Sequence, residues 1–246
     1  MITAWLSSPA SGTPGPVIPS FGGGGSCVSN QNALFCPSWV SSNWGSVLAP
    51  ALIQHVLLTV VAVGIGLAIA LAAAALAFRH GWFEQGFRGF SALLYTIPSL
   101  AFFELFVPVT GLGAVTVEIG LVGYTLLVLF RNTLEGLRSA TPEEMAAARG
   151  MGMTSRQIFY RVNVPNAIPA IMAGLRVAAV TTISLATVAA YISKTGLGAP
   201  ILQGIQDSFN TELIAAGGLA ILLALITDGL LVGAQRAIAP WRRVRR

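Results

Sequence analysis

An all-α integral membrane protein with five spans is the fold this sequence predicts, on three observations. Of its 246 residues 54% are hydrophobic and only 9% charged, with a mean hydropathy of +0.75, too few charges to cover a soluble globule of this size. Five apolar runs, roughly residues 56–78, 90–107, 112–130, 167–192 and 213–233, each come near the ~20 residues that a helix needs to cross a bilayer. The arginines gather after the first, third and fifth runs, and basic loops mark the cytoplasmic side.

Residues 1–46 carry no charged side chain and are rich in Gly, Ser and Pro, with four glycines in a row at 22–25, a composition that predicts a flexible external segment. It lacks the basic start and apolar centre of a cleavable signal peptide. Cys27 and Cys36 are the only cysteines and both fall on this outward side, where they are either disulfide-bonded or two unpaired thiols of a tail. Trp39 and Trp44 before the first span and Trp82 after it are expected as interfacial anchors, with Gln54 and His55 at the outer interface. Small residues at 68–77 and the run 229–233 (GLLVG) allow close helix approach.

Orientation follows from the bases. Arg79 and Arg88 follow the first span; Arg131, Arg138, Arg149, Arg156 and Arg161 the third; Arg236, Arg242, Arg243, Arg245 and Arg246 the fifth; Lys194 alone faces the other side. An outside N-terminus and a cytoplasmic C-terminus satisfy this distribution, and the net charge of +5 is a topology signal rather than a nucleic-acid footprint. The second run is interrupted at Pro98, just after Tyr95 and Thr96, and Pro108 with Gly111 and Gly113 marks an outer turn. A proline frees a backbone carbonyl and bends a helix, which serves either a gate or simple packing.

Between the third and fourth spans lies TPEEMAAARGMGMTSRQIFYRVNVP, residues 141–165. Thr141, Pro142 and Glu144 form a capping box with proline at the first helical position. Gly150 and Gly152 stop that helix. Thr154 with Gln157 repeats the signal and starts a second short helix, whose Ile158, Phe159 and Val162 make an apolar patch before Pro165 ends it. A polar helical hairpin between spans predicts a cytoplasmic partner docked on it.

Ionisable residues inside the spans point to function or pairing. Arg176 in the fourth run and Asp228 in the fifth lie at equal depth, roughly 12–15 Å in at 1.5 Å per residue, and form a candidate ion pair, either structural or a ligand for cargo. Glu104 and Glu118 lie toward the outer ends of the second and third spans, and Asp207 and Glu212 fall in the last external loop. Such an acidic mouth draws in cations and discourages anions.

No GxxxxGK[ST] phosphate loop is present, since GMGMTS at 150–155 lacks the lysine. His55 and His80, the only histidines, fall on opposite sides of the membrane and share no metal site or triad. The sequence is therefore not that of an enzyme, and no cofactor is expected in this chain.

The segment AAARGMGMTSRQIFYRVNVPNAIP resembles the Glu-Ala-Ala loop of permease subunits in bacterial ABC importers. Ala147 and Ala148 match the two alanines, Gly152 the glycine, and Val164 with Pro165 the terminal pair, while Ala146 stands where that family usually has glutamate. TIPSLAFFELF (96–106), AIPAIMAGLRVAAV (167–180) and TGLGAPILQGI (195–205) are similar to permeases of the glycine betaine, carnitine and choline importers. The resemblance spans roughly residues 50–235 and implies a five-span type I importer permease fold with a cytoplasmic coupling hairpin.

It further implies partners: a second permease subunit, identical or paralogous, two cytoplasmic ATPase subunits that bind ATP and Mg, an external substrate-binding protein, and bacterial inner-membrane lipid, with no nucleic acid. Glu143, Glu144, Ala147, Ala148, Gly152, Ile158 and Pro165 are the expected ATPase-coupling residues. Thr96, Pro98, Phe102, Glu104 and Glu118 are the expected path or gate. The domains follow as residues 1–46 external segment, 47–236 permease domain with its coupling loop at 141–165, and 237–246 basic cytoplasmic tail. Two alternatives stand beside the osmoprotectant reading: an importer permease for an amino acid such as methionine, and a secondary transporter that needs no ATPase, against which count the absence of an internal repeat and the capped hairpin.

Overall fold

The computed structural model describes residues 34–239, and among these every regular element is helical. The long elements are α2 (Ala49–Ala77), α5 (Ala114–Leu137), α8 (Val164–Val188) and α10 (Asn210–Ile238). The shorter ones are α1 (Pro37–Asn43), α3 (Gly81–Thr96), α4 (Ser99–Thr110), α6 (Pro142–Gly150), α7 (Ser155–Ile158) and α9 (Gly198–Gln206).

The second expected span is not one helix. Ile97 is extended (φ −68°, ψ 131°), as the residue before a proline tends to be, and α3 and α4 meet there at 100°. The pair nevertheless accompanies α5 from one end to the other. Arg138 meets Glu84 at 2.6 Å, the rings of Phe130 and Phe87 lie 4.6 Å apart, Tyr124 donates its hydroxyl hydrogen to the Ile97 carbonyl, and the Thr116 and Thr110 hydroxyls are 2.6 Å apart. With α5 about 36 Å long at 1.5 Å per residue, the broken pair crosses as far as α5 does, which makes five crossings. Pro108 lies inside the last turn of α4 rather than in the outer turn, which is made at Gly111 (φ 76°) and Gly113.

Two other boundaries differ from the expectation for the same reason. A π-turn over Trp44–Leu48 joins α1 to α2, and another over Phe159–Asn163 joins α7 to α8. Each is followed two residues later by a proline, Pro50 and Pro165, which has no N–H for the helical ladder. The widened turn, closed by Ala49 N–H on Trp44 O and Val164 N–H on Phe159 O, carries the helix past that missing donor. Pro165 therefore does not end the second hairpin helix; residues from Ser155 to Tyr191 form one run of 37. Likewise residues 37–46, expected in the flexible segment, are helical. Trp39 is buried rather than interfacial, its ring 5.2 Å from that of Phe209, while Trp82 is exposed.

The core is built around α5. Ala70, Ala73 and Ala74 of α2 pack with Leu129, Phe130 and Leu134 of α5 and Ala167 and Ala178 of α8. A second cluster joins Leu58 and Ala62 of α2, Phe103 of α4, Val117 and Leu121 of α5 and Ala186 of α8. His55 is fully buried, not interfacial. Its Nδ1 accepts the Leu197 N–H (3.2 Å) and its Nε2 faces the Ile183 carbonyl at 3.1 Å, a pairing met by the neutral ring with its proton on Nε2. With Gln54, whose Oε1 accepts the Gly196 N–H, it ties α2 to the loop that leads into α9.

Candidate functional site

Two regions carry the residues that sequence singled out. The first is the hairpin of α6 and α7. Both predicted capping boxes are formed: Thr141 Oγ1 accepts from Glu144 N–H while Glu144 Oε2 accepts from Thr141 N–H, and Thr154 and Gln157 do the same. Between the helices Gly152 has φ 73°, the left-handed region that a side chain strains. The Glu143 carboxylate, at the start of α6, is held below its ordinary range first by its own backbone amide and then by the Thr141 hydroxyl.

The hairpin is fastened to the frame through polar residues that sequence reasoning passed over. Buried Asn163 donates from Nδ2 to the Leu137 carbonyl (2.8 Å), and Asn166 donates from Nδ2 to Glu144 Oε2 (2.9 Å). Their signal was available, since an amide next to a proline-started span needs backbone partners, but nothing in the sequence names the end of α5 as that partner. Ala148 and Ile158 are buried within the chain at 1% and 6% exposure, so they hold the hairpin together and do not offer a surface. Phe159 is likewise engaged, its ring 5.5 Å from Phe78 and 5.9 Å from the Arg79 guanidinium. Among the residues that face outward are Glu143, Ala146, Ala147, Arg149, Met151, Arg156, Tyr160 and Arg161, together with Gly152. This is a mixed surface of small, charged and large apolar side chains.

The second region is a groove of about 870 Å³ between α8 and α10, with Ile201 of α9 at one end. Arg176 and Asp228 meet in it bidentately, Nε to Oδ1 at 2.8 Å and Nη2 to Oδ2 at 2.9 Å, with side chains 35% and 38% exposed. They lie about 18 Å from the N-terminal end of α8 and about 15 Å from the C-terminal end of α10 at 1.5 Å per residue. Thr181, Ser184 and Thr187 supply hydroxyls along the α8 wall, and the rest of the lining is almost wholly apolar.

The expected path residues are not brought together. Phe102 is buried at 2%, packed edge-on to Tyr124 and against Gly123, so it is a core residue. Thr96 turns its hydroxyl back to the Leu93 carbonyl; Pro98 starts α4 and is exposed. Glu104 is exposed, whereas Glu118 is half-buried with Oε2 lacking a hydrogen-bond partner. Of the other two acids expected at the mouth, Glu212 is buried in the first turn of α10, whereas Asp207 accepts from the Gln203 amide, a neutral donor that does not offset its charge. Cys36 is buried and disulfide-bonded, its N–H donated to Thr211 Oγ1 at 3.0 Å; Cys27 lies outside the described residues, as does the basic tail beyond residue 239. Among the described residues no group of His, Cys, Asp or Glu could hold a metal ion.

A five-crossing frame, a capped hairpin on its basic side and an unbroken helix from that hairpin to a polar-floored groove define a membrane-transport subunit. The chain belongs to the family of binding-protein-dependent transport system inner membrane components, whose model matches residues 61–244. It is 37% identical over 198 residues to the osmoprotectant import permease protein OsmW of Salmonella typhimurium, covering 78% of this chain and 92% of that one. It is 35% identical over 188 residues to the carnitine transport permease protein OpuCB of Listeria monocytogenes, covering 76% and 86%. Its fold is similar to that of a chain of the MetNI methionine ABC transporter in an inward-facing conformation, with a TM-score of 0.70 at 19% identity over 78% of this chain and 95% of that one.

Proposed function

We propose that this chain is the pore-forming permease of an ATP-driven importer for osmoprotectants such as glycine betaine, carnitine or choline. The observation that carries the reading is the near full-length similarity to permeases named for those cargoes, at 30–37% identity in four of them. The likeness to a methionine transporter is one of fold at 19% identity and gives the methionine alternative no comparable support. Family membership counts against an ATPase-independent transporter.

In this reading ATP and Mg belong to the partner ATPase, which docks on Ala146, Ala147, Arg149 and Met151 of the hairpin, and an external binding protein delivers cargo. The N-terminus is outside and the C-terminus cytoplasmic. The hairpin moves with the frame because Asn163 and Asn166 pin it. Because α7 runs through its π-turn into α8 without a break, tilting of the docked hairpin is delivered directly to the wall of the groove, the kind of rigid-element displacement that opens and closes a path. A second permease copy covers α10, of whose central stretch only 11% is buried within this chain. Uptake of labelled glycine betaine, carnitine, choline and methionine into proteoliposomes holding the complete complex tests the reading: ATP-dependent uptake of one or more of the first three is expected, and uptake of methionine alone would overturn it.

A further inference from the structure

The Arg176–Asp228 pair differs from a sealed structural pair in that a third of each side chain faces an open groove. The groove runs along α8 from Ala173 to Thr187 and along α10 from Gly217 to Asp228. Ile201 of α9 and Thr187 line one end of it, and Ala173 with the ion pair lines the other. Its volume of about 870 Å³ falls in the range of small-molecule sites, which combine apolar walls with a few placed polar groups.

We propose that this recess binds a net-neutral zwitterion of the betaine class, with Arg176 taking the carboxylate and Asp228 facing the quaternary ammonium; the proposal rests on the osmoprotectant reading above. The argument is one of charge. A bidentate Arg–Asp pair is neutral as a unit, and a zwitterion entering it replaces one ion pair by two, so that no charge is left alone in a low-dielectric site. A cation such as choline that engaged Asp228 would strand Arg176, and an anion on Arg176 would strand Asp228; removing one partner from a paired charge away from water is costly. Quaternary ammonium groups cannot donate hydrogen bonds and require only charge and apolar contact, which Val177, Val180, Ile221 and Leu225 provide. Among the described residues no aromatic side chain lines the groove, so they offer the cargo no cation–π cage. The site therefore binds weakly and releases readily, as a station along a path must.

The test uses the complete complex in lipid nanodiscs with Val180→Cys, a substitution on the groove wall of α8 about 6 Å, one helical turn, from Arg176, and follows alkylation of the new thiol by a small maleimide, with the complex lacking that substitution as blank. Glycine betaine at four times its dissociation constant is expected to slow alkylation about fivefold, since protection follows one plus the ratio of ligand to dissociation constant. Choline chloride and sodium acetate at equal concentration are expected to leave the rate unchanged. The neutral double variant Arg176→Gln with Asp228→Asn is expected to lose the protection. Should that variant fail to assemble, the charge-swapped pair Arg176→Asp with Asp228→Arg replaces it and must keep protection, because a zwitterion fits either way round; its loss would overturn the proposal. Equal alkylation with and without glycine betaine, or equal protection by choline, would also overturn it. Labelled glycine betaine uptake by the same complex in proteoliposomes separates the two levels: uptake without protection removes the groove site and leaves the cargo class standing, whereas no uptake of any osmolyte removes both.

Discussion

Two membrane helices of this chain, α5 and α10, are both apolar enough to cross a bilayer, and the more apolar of the two is the less buried: 56% of the central stretch of α5 lies inside the protein, against 11% for α10. Their glycines show the reason. A Cβ placed on Gly136 of α5 would come within 3.0 Å of the Ala167 backbone and 2.9 Å of the Ala170 side chain, and one on Gly66 of α2 would strike Thr125 of α5. On α10, a Cβ at Gly217, Gly218, Gly229 or Gly233 would meet nothing within 4 Å. Hydropathy reports what a segment can tolerate around it, lipid or protein alike, whereas small residues matter only where another backbone comes close. Hence α5 is the frame on which the rest is hung, and α10 is a lightly packed face: groove wall on one side, and uncovered by this chain's described residues on the other.

The largest effect expected from this difference comes from filling the two kinds of glycine. Gly136→Leu forces α5 and α8 apart and should destabilise the purified chain by about 1–3 kcal/mol, the usual cost of overpacking. Gly229→Leu should instead stabilise it by up to about 1 kcal/mol, since nothing crowds the new side chain and a glycine in a helix interior costs about that much. Thermal unfolding in detergent measures both; equal losses would break the distinction between frame and face.

An effect confined to one attachment tests how the frame holds the hairpin. Asn163→Leu leaves the Leu137 carbonyl without its buried donor, at a cost of about 1–3 kcal/mol. Hydrogen exchange should speed up in α6 and α7 while the rate in the centre of α5 stays unchanged. Uniform acceleration along α5 would mean that Asn163 supports the frame itself rather than the attachment.

The smallest effect is one of pH. The Glu143 carboxylate is held below its ordinary value of 4.5 by its own backbone amide and the Thr141 hydroxyl. A depressed native pKa means that the folded state gains from the charged form: the gain is complete above the unfolded value near 4.5 and is lost as pH falls through the lower native value. Hydrogen exchange at the first turn of α6 should therefore rise as pH is lowered below about 4.5, relative to the base rate of exchange, and Glu143→Gln should remove that dependence.

Much of this was legible in the sequence, and the omissions have definite causes. The capping boxes at Thr141 and Thr154 were readable because each is a local arrangement of four residues whose partners lie in the same turn. Arg176 and Asp228 were found as a pair because charges in apolar runs are few and depth follows from counting residues. Pro98 was seen as an interruption, but not as a 100° break, since the size of a bend is set by what the two halves pack against; here that is the ladder from Arg138 to Thr116 along α5. Pro165 misled because a proline usually ends a helix, and a π-turn that carries the helix past it has no sequence signature of its own. Phe102, Ala148 and Ile158 are expected from their motif positions on a path or a docking surface and are instead buried: motif position does not tell which face of a short helix turns inward. Asn163, Asn166 and the His55 lock were missed because their partners, Leu137, Glu144, Ile183 and Leu197, are fixed only once the helices are packed.

The hairpin, as the proposed point where ATPase motion enters the frame, is tested most directly by Ala147→Asp. Ala147 is exposed, in contrast to buried Ala148 beside it, so the substitution places a charge on the docking surface and leaves the frame alone. The measurement is ATP-driven uptake of glycine betaine into proteoliposomes, with the bound ATPase quantified in the same membranes and thermal unfolding of the permease recorded alongside. The expected result is a variant that inserts and melts as the unmodified chain does, yet retains at most about one tenth of the ATPase, a loss equivalent to about 1.4 kcal/mol of docking free energy, and whose uptake falls in proportion. Unimpaired uptake with a full complement of ATPase would contradict the account.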